Sequence, residues 1–174
     1  TGLGGDDTLA GLGGDDTYVF GENWGADGIT DSAGMDTFDL TANTSGVTFA
    51  LTPASLTVSG TGSAVTGAGV IERLLGGSGS DSLDYSGYDT GRSLLLAGAG
   101  TLDGFAGTEA AAGSFDNINT LVGSNFSDSL TGLPAGSETA LTACQAGTYT
   151  SGGRSLAFSG LDLVTGLAGY DTLI

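Results

Sequence analysis

The chain has 174 residues, with 3 Lys and Arg against 20 Asp and Glu, no His and a formal charge of −17. So few cations cannot neutralise a run of phosphates or dock on an anionic membrane surface, which argues against nucleic acid as a partner. Without His neither a Ser-His-Asp relay nor a His-containing zinc site can be built, and the single Cys144 has no partner for an intrachain disulfide.

Glycine supplies 34 residues, a share that often accompanies disorder. Here Pro occurs only at Pro53 and Pro134, and the large apolar residues recur at fixed distances, so a core is being packed. The length suits one domain over residues 1 to 174. No apolar run approaches the roughly 18 residues of a membrane span. The sequence opens on Thr1, with neither Met nor a signal peptide, and reads as a piece of a longer chain.

Taken in order, residues 2 to 10 (GLGGDDTLA) and 11 to 19 (GLGGDDTYV) are a nine-residue unit used in tandem. Its Gly and Asp tolerate tight turns, and its last three residues predict a short strand with one side chain turned inward. The last Asp of each turn, Asp7 and Asp16, is followed by Asp27 and Asp36. Two units therefore predict a coil of about twenty residues, with Asp27 over Asp7 and Asp36 over Asp16. Residues 41 to 69 read as alternating strand, as in Val47-Thr48-Phe49-Ala50-Leu51. The unit returns at 76 to 84 (GGSGSDSLD), 123 to 131 (GSNFSDSLT) and 166 to 174 (GLAGYDTLI), anchored by Asp81, Asp128 and Asp171. Two residues beyond each anchor stand Leu9, Tyr18, Ile29, Phe38, Leu83, Leu130 and Leu173, all apolar.

A longer period of about 45 residues overlies the short one. Each late unit is preceded by an apolar pair, Ile71 and Leu74, Ile118 and Leu121, or Leu161 and Val164, enclosing Glu72, Asn119 or Asp162. No window of helical length shows convincing helical periodicity; the best, Thr108 to Ala112, is short and flanked by Gly107 and Gly113. The expectation is an all-β parallel β-solenoid: a β-roll over residues 1 to 40, continuing as a degenerate parallel β-helix of three modules over residues 41 to 174. At ~20 residues per coil this makes roughly nine coils, a rod about 40 Å long at the ~4.8 Å strand spacing.

The motif G-G-x-G-x-D-x-U-x, with U a large apolar residue, is matched completely by residues 76 to 84. Residues 2 to 10, 11 to 19 and 166 to 174 replace its second Gly by Leu, and 123 to 131 loses its fourth-position Gly to Phe126. In these units the chain resembles the repeats-in-toxin (RTX) family, whose nonapeptide is a calcium-binding β-helix repeat. The resemblance implies a parallel β-roll with Ca²⁺ between adjacent turns, held by the sixth-position Asp and turn carbonyls. It also implies a large secreted bacterial protein, export by a type I route and folding on calcium outside the cell.

The residues make their own case for a cation. Nine acids, among them Asp6, Asp7, Asp15, Asp16, Asp27, Asp31 and Asp36, lie in the first 40 positions with no base. Stacked carboxylates about 4 Å apart repel by about 1 kcal/mol per pair in water and about 4 at an effective dielectric of 20. Ca²⁺ accepts six to eight oxygens in flexible geometry, where zinc would want His or Cys. Sites are expected between turns 2 to 7 and 22 to 27, and between 11 to 16 and 31 to 36. The turn glycines Gly2, Gly4, Gly11 and Gly13 would let carbonyls face the ion, and Asp81 is a further candidate.

Because the acids repeat, no catalytic pair stands out, and no enzyme is expected. Arg73, Arg92 and Arg154 are expected as surface charges at strand starts, Tyr18 and Phe38 as core, Trp24 as a coil cap or partner contact, and Cys144 as a small buried hydrophobe. The expected function is a calcium-binding structural module of a secreted or cell-surface protein, such as an adhesin stalk, surface layer or extracellular filament. The alternative is the secretion and folding module of a polysaccharide-modifying enzyme or toxin. Expected partners are other copies or neighbouring repeats stacked end to end, with a glycan or cell-surface ligand as a further possibility.

Overall fold

Each Gly-Asp turn delivers a Thr-apolar-x run too short for a helix and suited to one rung of a sheet. The computed structural model describes residues 1–174 apart from 3, 68, 69, 135, 167–171 and 174, so Asp171 lies outside the described residues. Among those described there is no helix, and none is long and apolar enough to cross a membrane.

The strands are β1 (Thr8–Ala10), β2 (Thr17–Val19), β3 (Ala26–Thr30), β4 (Thr37–Asp39), β5 (Thr48–Leu51), β6 (Ser55–Ser59), β7 (Ser63–Gly67), β8 (Arg73–Leu75) and β9 (Ser82–Asp84). They continue with β10 (Ser93–Ala99), β11 (Phe105–Glu109), β12 (Gly113–Ile118), β13 (Thr120–Val122), β14 (Ser129–Thr131), β15 (Ser137–Ala143), β16 (Ala146–Ser151), β17 (Arg154–Ser159), β18 (Leu163–Thr165) and β19 (Thr172–Leu173). They form an eleven-stranded sheet, β1-β3-β7-β6-β5-β9-β13-β17-β16-β15-β19, and an eight-stranded sheet, β18-β14-β10-β11-β12-β8-β4-β2.

Outside three meanders the chain crosses from one sheet to the other after each strand. The first four strands pair in parallel at an offset of twenty residues, Thr8 with Gly28 and Thr17 with Thr37, which sets Asp27 beside Asp7 and Asp36 beside Asp16 as the spacing predicts. Beyond residue 40 the structure departs from a simple parallel stack. Three antiparallel meanders, β5–β7, β10–β12 and β15–β17, stay within one sheet before the chain crosses again. In each, the first strand pairs in parallel with a later one and the third with an earlier one. Two single strands separate successive meanders, so these fall alternately on the eleven-stranded, the eight-stranded and again the eleven-stranded sheet.

Side chains of period two from both sheets meet in one apolar core. Tyr18, Ile29, Phe38, Leu83 and Leu130, each two residues past an anchor Asp, are buried in it. Phe105 of one sheet meets Tyr149 of the other at 5.6 Å between ring centres. Trp24 is a core residue and caps nothing outside: it is buried against Phe20, 5.8 Å away. Close stacking of the first turns demands glycine. Gly25, at φ +93°, lies so near Gly5 that any side chain would overlap the Gly5 carbonyl, and Gly34 stands likewise over Gly14.

Two expectations fail on burial. Cys144 is exposed, because it sits in the β15–β16 turn and not on a strand's inner face. Arg92 is no surface charge: its guanidinium pairs with the buried Glu109 and lies 4.3 Å from the centre of the Tyr88 ring. Glu109 also accepts the Ala111 N–H at 2.7 Å. Arg73 and Arg154 do open strands, β8 and β17.

Candidate metal centre

At the stacked corners seven backbone N–H groups donate to a side chain one rung further on, six of them to an acid and one to Asn119. The Asp7 N–H donates to Asp27 Oδ1 at 2.8 Å. A second ladder runs from the Asp16 N–H to Asp36 Oδ1 and from the Asp36 N–H to Glu72 Oε2, both at 2.8 Å. A third joins the Val47 N–H to Asp81 Oδ1 (2.8 Å) and the Asp81 N–H to Asn119 Oδ1 (2.9 Å). The fourth joins the Arg92 N–H to Asp128 Oδ1 (2.6 Å) and the Asp128 N–H to Asp162 Oδ2 (3.0 Å). Glu72, Asn119 and Asp162, which the sequence marks only as a recurring acid or amide, are thus the last acceptors of three ladders. The repeated Asp has this structural role whether or not an ion binds.

In the first forty residues the ladder leaves carboxylate oxygens to spare. Asp16, Asp31 and Asp36 each offer an oxygen within 4.8 Å of the others. Gly11 forms the floor, since a side chain there would run into Asp16, Asp31 and the Tyr18 hydroxyl. That hydroxyl donates to Asp31 Oδ2, while Asp31 Oδ1 accepts the Ser32 N–H at 2.7 Å. Burial, then the hydrogen bond to Asp31, pushes the Tyr18 phenol well above its ordinary value, so it remains a donor. A cavity of about 70 Å³ lies beside Asp36, lined also by Ser32, Ala33, Gly34, Val70 and Glu72.

The equivalent corner at turns 2 to 7 and 22 to 27 is built differently. Glu22, in the place of Asp31, turns away and accepts the Thr44 N–H at 2.7 Å and the Ser45 N–H at 3.2 Å, contacts that hold it below its ordinary value. Asp27 is buried with Oδ2 unpartnered beside Gly2 and the Phe20 ring, and Asp7 is exposed. Asp6 Oδ1 accepts the Ala26 N–H (3.1 Å) and Asp15 Oδ1 the Met35 N–H (2.9 Å), each bracing the next turn. Gly4 and Gly13 lie in exposed turns facing the Asn23 and Ala33 carbonyls.

Asp81 is apart from these residues. It is fully buried, its Oδ2 has no hydrogen-bond partner, and it lies against Gly76 and the Asn117 carbonyl. Burial, with a smaller push from Asp103, raises its carboxyl from 3.8 to about 6.

The spacing brings Asp16, Asp31 and Asp36 to one corner, where the structure also groups them, and does not bring Tyr18 there, because its ring is a core ring and only its hydroxyl reaches the acids. The donor set is entirely hard oxygen, suited to Ca²⁺ and unsuited to zinc. Comparison of the chain with protein-family models, curated proteins and solved structures found no match.

Proposed function

We propose that the chain is a calcium-binding structural β-solenoid module of a secreted or cell-surface bacterial protein, its first forty residues a β-roll of the repeats-in-toxin kind. The observation that carries this reading is the crowding of Asp16, Asp31 and Asp36 over Gly11, in a stretch with no basic residue to offset them. Three carboxylates that close repel one another unless a cation intervenes. Calcium between the two rungs would replace repulsion by attraction and lock the twenty-residue register.

The acids recur with the repeat and serve the corners, which favours a load-bearing stack over a catalytic site. At the affinities of extracellular calcium modules, millimolar calcium adds on the order of 1 to 2 kcal/mol per site. Thermal unfolding followed by circular dichroism, in calcium and in chelator, tests the reading. The wild type is expected to melt several degrees higher in calcium, at roughly 2 to 4 °C per kcal/mol for a chain of this size, and Asp31→Asn to lose most of that gain. Identical curves with and without calcium would refute the assignment.

A further inference from the structure

The three meanders are equivalent in register, and this equivalence exposes a vacant place in the fold. Their first strands align Phe49 with Leu83, Leu94 with Leu130 and Thr139 with Leu173. Two residues further on in each stands a leucine that the period-two pattern points inward. Leu51 is 5% exposed and Leu96 2%, but Leu141 is 52% exposed. The difference lies in what faces them. Opposite the first meander, the eight-stranded sheet continues past β8 into β12, β11 and β10. Opposite the third, that sheet ends at β18, and among the described residues no strand pairs with the far edge of β18. Val164, at the register position of Leu74 and Leu130, is accordingly only half-buried.

The result is a groove of about 630 Å³ whose floor and walls include Leu141, Cys144, Phe158, Leu161, Leu163 and Val164. Its shape follows from the alternation of faces: the two single strands β18 and β19 have been laid down, and the next position is a meander on the eight-stranded sheet.

We propose that this groove is the docking site for a further module of the β10–β12 kind, stacked in series so that its third strand pairs in parallel with β18. The β8–β12 junction shows how the seat works. There Ser114, Phe115 and Asp116 lie beside Arg73, Leu74 and Leu75, and the Ser114 N–H donates to the Glu72 carbonyl at 2.9 Å. Gly113, at φ +60°, stands so close to the Glu72 carbonyl that no side chain fits. In the vacant seat Leu163, Val164 and Thr165 replace β8, and Asp162 replaces Glu72. The incoming strand therefore needs a glycine followed two residues later by a large apolar side chain. The end-to-end stacking is the arrangement expected from the sequence for neighbouring repeats, but the groove owes nothing to the calcium site of the proposed function.

Cys144 is the only thiol in the chain and lines the groove, so it reports on occupancy. The test appends a second copy of residues 85–131 directly after residue 174, because β19 pairs with β15 as β9, which precedes β10, pairs with β5. The reaction of Cys144 with a disulfide reagent is followed in calcium and in chelator, together with resistance to limited proteolysis. Docking predicts that labelling slows by about tenfold or more relative to the unextended chain, that the appended copy resists protease, and that both effects persist in chelator. A second fusion carrying Phe115→Asp in the appended copy is expected to restore fast labelling.

Fast labelling in the first fusion overturns the proposal, whether the appended segment is protease-resistant or not. So does concentration-dependent protection of Cys144 in the unextended chain accompanied by dimerisation, which would assign the groove to a second copy. Loss of the calcium effect on melting with Cys144 still protected would remove the metal site and leave the docking intact.

Discussion

The first forty residues and the stretch from 71 to 131 use the same aspartate for the same corner hydrogen bond, yet they surround it differently. In the first stretch the corner acceptors Asp27 and Asp36 are themselves buried, but Asp36 stands beside the half-exposed acids Asp16 and Asp31 with no base in the stretch. In the second, Asp81 and Asp128 are buried, and Asp128 is fully engaged by the Arg92 N–H, the Ser124 N–H and the Ser124 hydroxyl. Buried acceptors stabilise by satisfying backbone donors. Acceptors crowded by other carboxylates do so only if their charge is offset. The repeat therefore satisfies backbone donors in both stretches, and under the proposed function it would hold a cation only where acids are doubled.

The largest effect that would break this comparison belongs to the second stretch. Glu109→Ala leaves Arg92 half-buried beneath Tyr88 without its carboxylate, and is expected to destabilise the chain by about 3 to 5 kcal/mol in urea unfolding. A loss under about 1 kcal/mol, the level of an exposed pair, would place that ion pair in solvent.

Next comes Asp81. Its folded value of about 6 lies above the 3.8 of an unperturbed carboxyl, so the folded state holds the proton more tightly. Its contribution is therefore complete below about pH 4 and is lost as pH rises through 6, amounting to about 3 kcal/mol at neutral pH. In chelator the wild type should lose stability from pH 5 to 7.5 more steeply than Asp81→Asn. Parallel slopes for the two proteins would mean that Asp81 titrates normally.

A smaller effect sharpens the contrast at the first corner, because it changes sign. In chelator, Asp16→Asn removes one charge from the trio and should stabilise by about 1 kcal/mol. In millimolar calcium the same substitution should destabilise by a similar amount, since a ligand is lost. The same sign in both conditions would separate the trio from cation binding. Smallest is Leu12, exposed and held at φ +74° where the complete nonapeptide has Gly77. Leu12→Gly relieves a left-handed backbone at a non-glycine residue and should raise the urea midpoint by the equivalent of under about 1 kcal/mol. An unchanged or lowered midpoint would show that the strain is absent.

Much of the rung pattern is legible in the residues. The spacing of Asp7, Asp16, Asp27 and Asp36 predicts the twenty-residue offset, and the apolar position after each anchor predicts Tyr18, Ile29, Phe38, Leu83 and Leu130 in the core. The meanders are not legible, because alternation has the same period in parallel and antiparallel strands. Arg92 reads as a surface charge because Glu109 and Tyr88, its partners, carry no fixed spacing from it. Cys144 reads as buried because residue type alone says nothing of a hairpin turn.

Local order, then, was enough to set where the chain turns, which side chain of each rung faces inward and where negative charge accumulates, since all three depend on neighbours a fixed distance along the backbone. Which strand lies beside which, that Glu22 leaves its corner while Asp31 stays, and that Leu141 lacks the cover given to Leu51 and Leu96, emerged only on folding. Those outcomes depend on groups far apart in the chain, and their meeting is settled by competition among many pairings of similar local quality.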